Sequence, residues 1–239
     1  MPRVGATTPL KGGFFSSKER PTMAQVPTGT NIFVASVFAT ALSFSAASNA
    51  TECVLTMAST TGLANGDFVE VSSGWGRLNL RAARIKNVVL NTSITLESMD
   101  TTSTTFFPVG AGAGSVRKVS TWQQITMITA VSSSGGDPIT VDYKYLESDV
   151  RYKMNDGFNG TDYTLTIDAD AIGSAGYAAL KSLTDVQTNT ILRIVTRSGQ
   201  SQLVPGTVAL NESVQMNDGQ INTVTASISG NNRTTRYAS

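Results

Sequence analysis

The strongest constraint on the fold is a strict alternation of apolar and polar residues that occurs twice in the C-terminal half of the chain. Ile139, Val141, Tyr143 and Tyr145 alternate with Thr140, Asp142 and Lys144. Tyr163, Leu165 and Ile167 alternate with Thr164, Thr166 and Asp168. A period of two sends successive side chains to opposite faces of a pleated strand, so both segments predict half-buried strands. The stretch between them, Leu146–Asp162, is charged and rich in Asn, Asp and Gly, and reads as a long hairpin loop. Trp122–Val131 predicts a strand ahead of the pair, and Thr190–Arg197, Gly206–Ser213 and Asn222–Ser229 predict three behind it. One segment, Ser174–Val186, carries the helical period, with Tyr177, Leu180, Leu183 and Thr184 on one face and Asp170 or Ser174 placed to cap it. The expected class is therefore mainly β with one α-helix.

Composition agrees. Charged residues make up 15% of the chain, well below the usual quarter or so. Thr, Ser, Asn and Gly fill the gap, and they favour strands and turns. Interface cores are depleted in charge, so such a surface also suits a chain covered by copies of itself. The net charge of +1 recruits no nucleic acid by a global field. Its distribution is uneven: residues 1–22 carry Arg3, Lys11, Lys18 and Arg20 against Glu19, a net +3, while residues 119–239 carry a net −3.

The missing residue types narrow the chemistry. The chain has no histidine and a single cysteine, Cys53. That excludes Ser–His and Cys–His nucleophile pairs and argues against zinc and internal disulfides. Cys53, beside Val54 and Leu55, reads as a small buried hydrophobe. Asp168 and Asp170 share a face if the strand continues through them, which suits a helix cap, a surface pair, a metal site or a carboxylate dyad. No twelve-residue calcium loop accompanies them. The run Gly110–Gly114 lacks the Gly-Lys-Ser/Thr ending of a nucleotide loop and reads as a linker. Arg77, Arg81, Arg84 and Lys86, near Trp75, form the dense basic cluster of the body, and interspersed acids favour a solvated strand face over a nucleic-acid site. No catalytic, cofactor or metal site is expected.

Three regions follow. Residues 1–27 read as an extended N-terminal arm punctuated by proline, whose Leu10, Phe14 and Phe15 either dock on a partner or stay loose. Residues 28–47 and 119–239 form the main β domain. Residues 48–118 read as an inserted small β-barrel built from Glu52–Met57, Phe68–Val71, Arg81–Leu90 and Ser93–Glu97, with a flexible glycine-rich exit. The apolar run Ile32–Phe44 lacks a short basic leader and is too short to span a bilayer, so it reads as a strand rather than an export signal.

The succession of features in the C-terminal half resembles the tail tube proteins of long, non-contractile-tailed bacteriophages. The resemblance rests on Trp122, the strand pair around the long loop, the helix with Gly176-Tyr177-Ala178-Ala179-Leu180, the run Val208-Ala209-Leu210-Asn211-Glu212, Asp218-Gly219 and the ending Asn231–Tyr237. Met23–Val34 is similar to a usual start in that family, and residues 23–47 and 118–239 carry the likeness. It implies a β-sandwich or half-barrel tube fold and a non-enzymatic virion subunit. It further implies hexameric rings that stack into a hollow tube, a tape measure protein inside the tube, tail terminator and tail-tip proteins at its ends, and viral DNA passing without specific binding. Assembly would occur in the host cytoplasm, with no membrane partner. The loop residues Glu147, Asp149, Arg151, Lys153, Asn155, Asp156 and Phe158 are expected to reach a neighbouring ring. Leu10, Phe14 and Phe15 of the arm, and Arg233, Arg236 and Tyr237 of the tail, are expected to lie across neighbours. The rival reading is a secreted or virion-surface β-structural protein of pilin or adhesin type.

Overall fold

The computed structural model describes residues 28–238. Sixteen strands lie among these residues: β1 (Asn31–Phe38), β2 (Leu42–Phe44), β3 (Ala46–Ala47), β4 (Val54–Thr56), β5 (Phe68–Ser73), β6 (Arg81–Val89), β7 (Ser93–Leu96) and β8 (Gly114–Ile125), then β9 (Ile128–Gly135), β10 (Pro138–Tyr143), β11 (Tyr152–Phe158), β12 (Thr161–Asp168), β13 (Asn189–Val195), β14 (Ser201–Gln215), β15 (Thr223–Gly230) and β16 (Thr235–Tyr237). One α-helix, α1 (Ala175–Val186), follows a 3-10 turn at Ala169–Gly173. Fourteen strands join one sheet in the order β3-β4-β7-β6-β5-β8-β1-β13-β14-β15-β12-β9, with β16 on β14 and β2 on β8. All the pairings are antiparallel, and β10 and β11 form a separate two-stranded ribbon. The fold is mainly β, with one helix and a curled half-barrel sheet, as the sequence led us to expect.

Alternation decides which face is buried. Leu165 and Ile167 of β12, Val208 and Leu210 of β14, and Val224, Ala226 and Ile228 of β15 point into one core. Tyr177, Leu180 and Leu183 of α1 fill it. The Ser174 hydroxyl accepts from the Tyr177 N–H at 3.2 Å and caps α1, while Asp168 caps the 3-10 turn by accepting from the Asp170 N–H. The helix approaches β8 through Gly176, where a Cβ would lie 2.3 Å from the Gln124 carbonyl oxygen.

A second core gathers Phe44, Cys53, Leu55, Val69, Val71, Ile85, Ile94 and Leu96 around Trp75. The Trp75 indole N–H donates to the Pro108 carbonyl at 2.7 Å, and the ring stands edge-on to Phe107 at 5.2 Å. A third, smaller cluster of Ala35, Ala82, Val119, Ile191, Leu203 and Tyr237 bridges the two. Glu70 is buried beside Arg117, whose Nε donates to it at 2.6 Å. Burial pushes the Glu70 carboxyl up in pKa even with that guanidinium beside it.

Several expectations are corrected. Trp122–Val131 is two strands, because Met127 adopts a left-handed φ of 59° and the Asp168 N–H bonds its carbonyl at 2.9 Å. Leu146–Asp162 is no open loop, since β11 lies within it and pairs with β10. The glycine run expected as a flexible exit is packed: a Cβ on Gly112 would meet the Trp75 ring at 2.8 Å, and one on Gly114 would meet the Ser72 carbonyl oxygen at 2.0 Å. The basic cluster of β6 is not one solvated face. Arg84 pairs with Glu97 and Lys86 with Glu52, whereas the Nε of Arg81 is buried without a partner.

The last strand is also tied to its own subunit. Tyr237 is buried, and its hydroxyl accepts from the Arg84 N–H at 2.8 Å. Burial pushes its phenol up to about 12, against about 10 in the unfolded chain. The folded state therefore holds this proton more tightly, and the resulting stability is complete below about pH 10 and is lost as pH rises toward 12. Tyr237→Phe is expected to cost roughly 1–2 kcal/mol at pH 8 by orphaning the Arg84 N–H. It should also flatten the fall in stability between about pH 10 and 12, where the phenol titrates. Urea unfolding of both proteins across that range checks it; parallel curves would refute it.

Candidate functional site

Two surfaces stand out. The first is the face of β9, β12, β15 and β14 that points away from the core. Register places Ala130 opposite Thr166, Ser132 opposite Thr164 and Ser134 opposite Asp162. It continues with Thr164 opposite Ser227 and Thr166 opposite Thr225, then Ala209 opposite Ser227 and Asn211 opposite Thr225. These residues are small and uncharged along the middle of each strand, with Asp162 and Asp168 at the two ends of β12. None of the four strands contains a lysine or arginine. Among the described residues the sheet ends on β9, which pairs only with β12 and leaves its other edge open.

The second surface is the β10–β11 ribbon. It leaves the sheet where Gly135, Gly160 and Gly230 bring bare backbone together. A Cβ on Gly160 would lie 2.1 Å from the Gly230 carbonyl oxygen, and one on Gly230 would lie 2.3 Å from that of Thr161. The chain can turn out of the sheet there because no side chain blocks the approach. On the ribbon, Val141 faces Met154 and Tyr143 faces Tyr152 across the strands. The Tyr143 and Tyr152 rings stack with centroids 5.5 Å apart. One ribbon face is thus apolar, yet Ile139, Val141, Tyr143, Tyr152 and Met154 are each 40–57% exposed. The alternation was legible as half-buried, but among the described residues nothing covers the apolar half. An isolated ribbon of this kind is marginal in water and calls for a cover.

The expected contact residues divide accordingly. Glu147, Asp149 and Arg151 sit at or near the ribbon tip and Lys153 on its polar face, all exposed and without an ion pair among the described residues. Asn155, Asp156 and Phe158 lie at its base, lining a recess with Arg77, Phe106 and Arg233. Arg236 is exposed on β16, whereas Tyr237 is buried inside its own chain. Leu10, Phe14 and Phe15 lie outside the described residues. Asp168 and Asp170 stand in capping geometry, and among the described residues no three of His, Cys, Asp and Glu gather as metal ligands. Nor is any described helix long and apolar enough to cross a membrane.

No curated protein matches the chain significantly. A family model described as phage tail tube protein, TTP, matches residues 73–239. The matched segment begins inside the region read as an insertion, so it includes β6, β7 and the packed glycine run as well as the C-terminal sheet. A match over most of the chain, on a mainly β half-barrel with an open sheet edge and an uncovered ribbon, places this protein in the phage tail tube protein family, as a structural component of the virion tail.

Proposed function

We propose that the subunit forms hexameric rings that stack into a tube, and that the face of β9, β12, β15 and β14 lines the channel through which viral DNA passes. The observation that carries this reading is the absence of lysine and arginine from those four strands. Phosphate contacts through basic side chains would hold DNA, so a hydroxyl-rich wall with a few aspartates lets it slide. Pairing the open edge of β9 with a neighbouring subunit continues the sheet around the ring and removes an edge that would otherwise aggregate. The β10–β11 ribbon reaches the next ring and buries its tyrosine face there, with Arg151 and Lys153 meeting acids of that ring. A head-to-tail contact that does not close gives an open-ended filament, so its length needs an external ruler. A tape measure protein in the lumen fills that role, with tail terminator and tail-tip proteins at the ends. Residues 48–118 serve as a domain on the outside of the tube, and assembly takes place in the host cytoplasm.

Negative-stain electron microscopy of the purified protein, alone and with tail-tip proteins, tests the reading. Hollow tubes with six-fold end views are expected. A protein that stays monomeric in both preparations overturns it.

A further inference from the structure

At the base of the ribbon, Arg77, Arg81 and Arg233 surround two adjoining recesses of about 520 and 410 Å³ that share Gly136, Phe158 and Arg233. None of the three arginines forms an ion pair among the described residues. The Arg77 guanidinium lies over the Phe106 ring at 3.2 Å and that of Arg233 over Phe158 at 4.2 Å. Stacking fixes the plane of a guanidinium and leaves its N–H edge free to grip an oxyanion. Arg81 lies deeper, and its Nε is enclosed without an acceptor. A buried donor left unmatched is costly, and folded proteins rarely tolerate one without a missing partner. Burial, together with repulsion from Arg233, pushes the Arg81 pKa down. Asp156 lines the larger recess but pairs with none of the three. Three arginines against one aspartate leave the site cationic and open.

The matching anions lie at the other end of the same strands. β12 starts at Thr161, which lines the smaller recess, and ends at Asp168. There the 3-10 turn carrying Asp170 meets the β14–β15 turn carrying Asp218, through the Ala169 N–H bonding the Asn222 carbonyl at 3.0 Å. Asp170 and Asp218 are exposed and, among the described residues, unpaired. One end of the strand set is therefore basic and hollow, the other acidic and projecting, and no subunit can bring its own two ends together.

We infer that the Arg77–Arg81–Arg233 recess is a carboxylate-binding site, filled in the assembly by the acidic end, Asp170 and Asp218, of a second copy of this chain. This inference rests on the tube reading above. It makes Arg81 a group satisfied only in the polymer, and it fixes polarity, because two basic ends repel and two acidic ends repel.

Charge exchange tests it. The protein carrying Arg77→Glu with Arg233→Glu, and separately that carrying Asp170→Arg with Asp218→Arg, should each need at least about tenfold more protein to assemble, read by sedimentation and electron microscopy. All four substitutions in one chain should bring assembly back to within about threefold of the unmodified protein, because the two ends are again complementary. Arg81 stays unchanged so that the core is undisturbed, and melting temperatures close to the parent show that each variant folds. Unimpaired assembly of either pair, or no recovery in the fourfold variant, overturns the inference. So does unimpaired assembly combined with lost retention of a short double-stranded DNA by the arginine variant, since the anion would then be phosphate. An unmodified protein that forms no tubes even with tail-tip proteins overturns the tube reading itself and is distinguished by that control.

Discussion

Tyr143→Asp combined with Tyr152→Asp should yield a folded subunit that no longer forms tubes. Among the described residues these rings stack on each other and on no other ring but Tyr145, 5.5 Å from Tyr143. No residue of the β10–β11 ribbon belongs to any of the three cores. Subunit stability should therefore change by no more than about 0.5 kcal/mol, as for surface substitutions. Assembly should respond very differently. Central aromatic anchors are each worth about 2 kcal/mol or more at an interface, and a carboxylate buried there without a partner adds its own desolvation cost. Two such losses correspond to about a thousandfold in the concentration needed for assembly. Sedimentation across a concentration series, with urea unfolding as the control, measures both quantities. Tubes forming at the parental concentration would show that the ribbon face is not an interface.

The largest loss of stability should come from Trp75→Ala. The indole is 1% exposed and holds the second core together. It also anchors the segment before β8, through the 2.7 Å bond to the Pro108 carbonyl and the contact with Gly112. Truncating a buried aromatic costs about 3–5 kcal/mol. Trp75→Phe keeps part of the volume but forfeits the indole bond, and should recover less than half of that loss. Urea midpoints for the two variants give the comparison. Limited proteolysis reads the state of residues 108–113: with Trp75 gone, this stretch loses its packing and should become the first site of cleavage. A midpoint within error of the parent would mean that the second core does not depend on Trp75.

The sequence made the core-facing strands legible because their two faces meet different environments. β12 shows this, with Leu165 and Ile167 buried while Thr164 and Thr166 face outward. The helix was legible for the same reason, and Ser174 proved to be its cap. β11 was not legible. Tyr152–Phe158 carries Lys, Asn, Asp and Gly, and what pairs it with β10 is a ribbon register rather than a core. The break at Met127 has no turn chemistry in its residue type and is set by Asp168 in a neighbouring strand. Composition alone reads Gly110–Gly114 as a linker, because nothing local announces that Trp75 lies against it. Among site residues, Phe158 and Arg233 were singled out separately, and only the fold brings them together with Arg77 and Arg81. The face without lysine or arginine was hidden for a related reason: it is a property of four strands taken side by side.

The connectivity of the sheet also sets a schedule for synthesis. β1 lies between β8 and β13, and the Thr190 hydroxyl donates to the Ala35 carbonyl at 2.6 Å across 155 residues of chain. β16, the last of the described strands, pairs with β14 and seals Tyr237 beneath β6. A nascent chain therefore cannot complete the half-barrel until its C-terminal strands have been made, and sheets closed by such distant contacts form slowly. Closure of the sheet is therefore separated in time from synthesis of its first strands by the order in which the strands are joined.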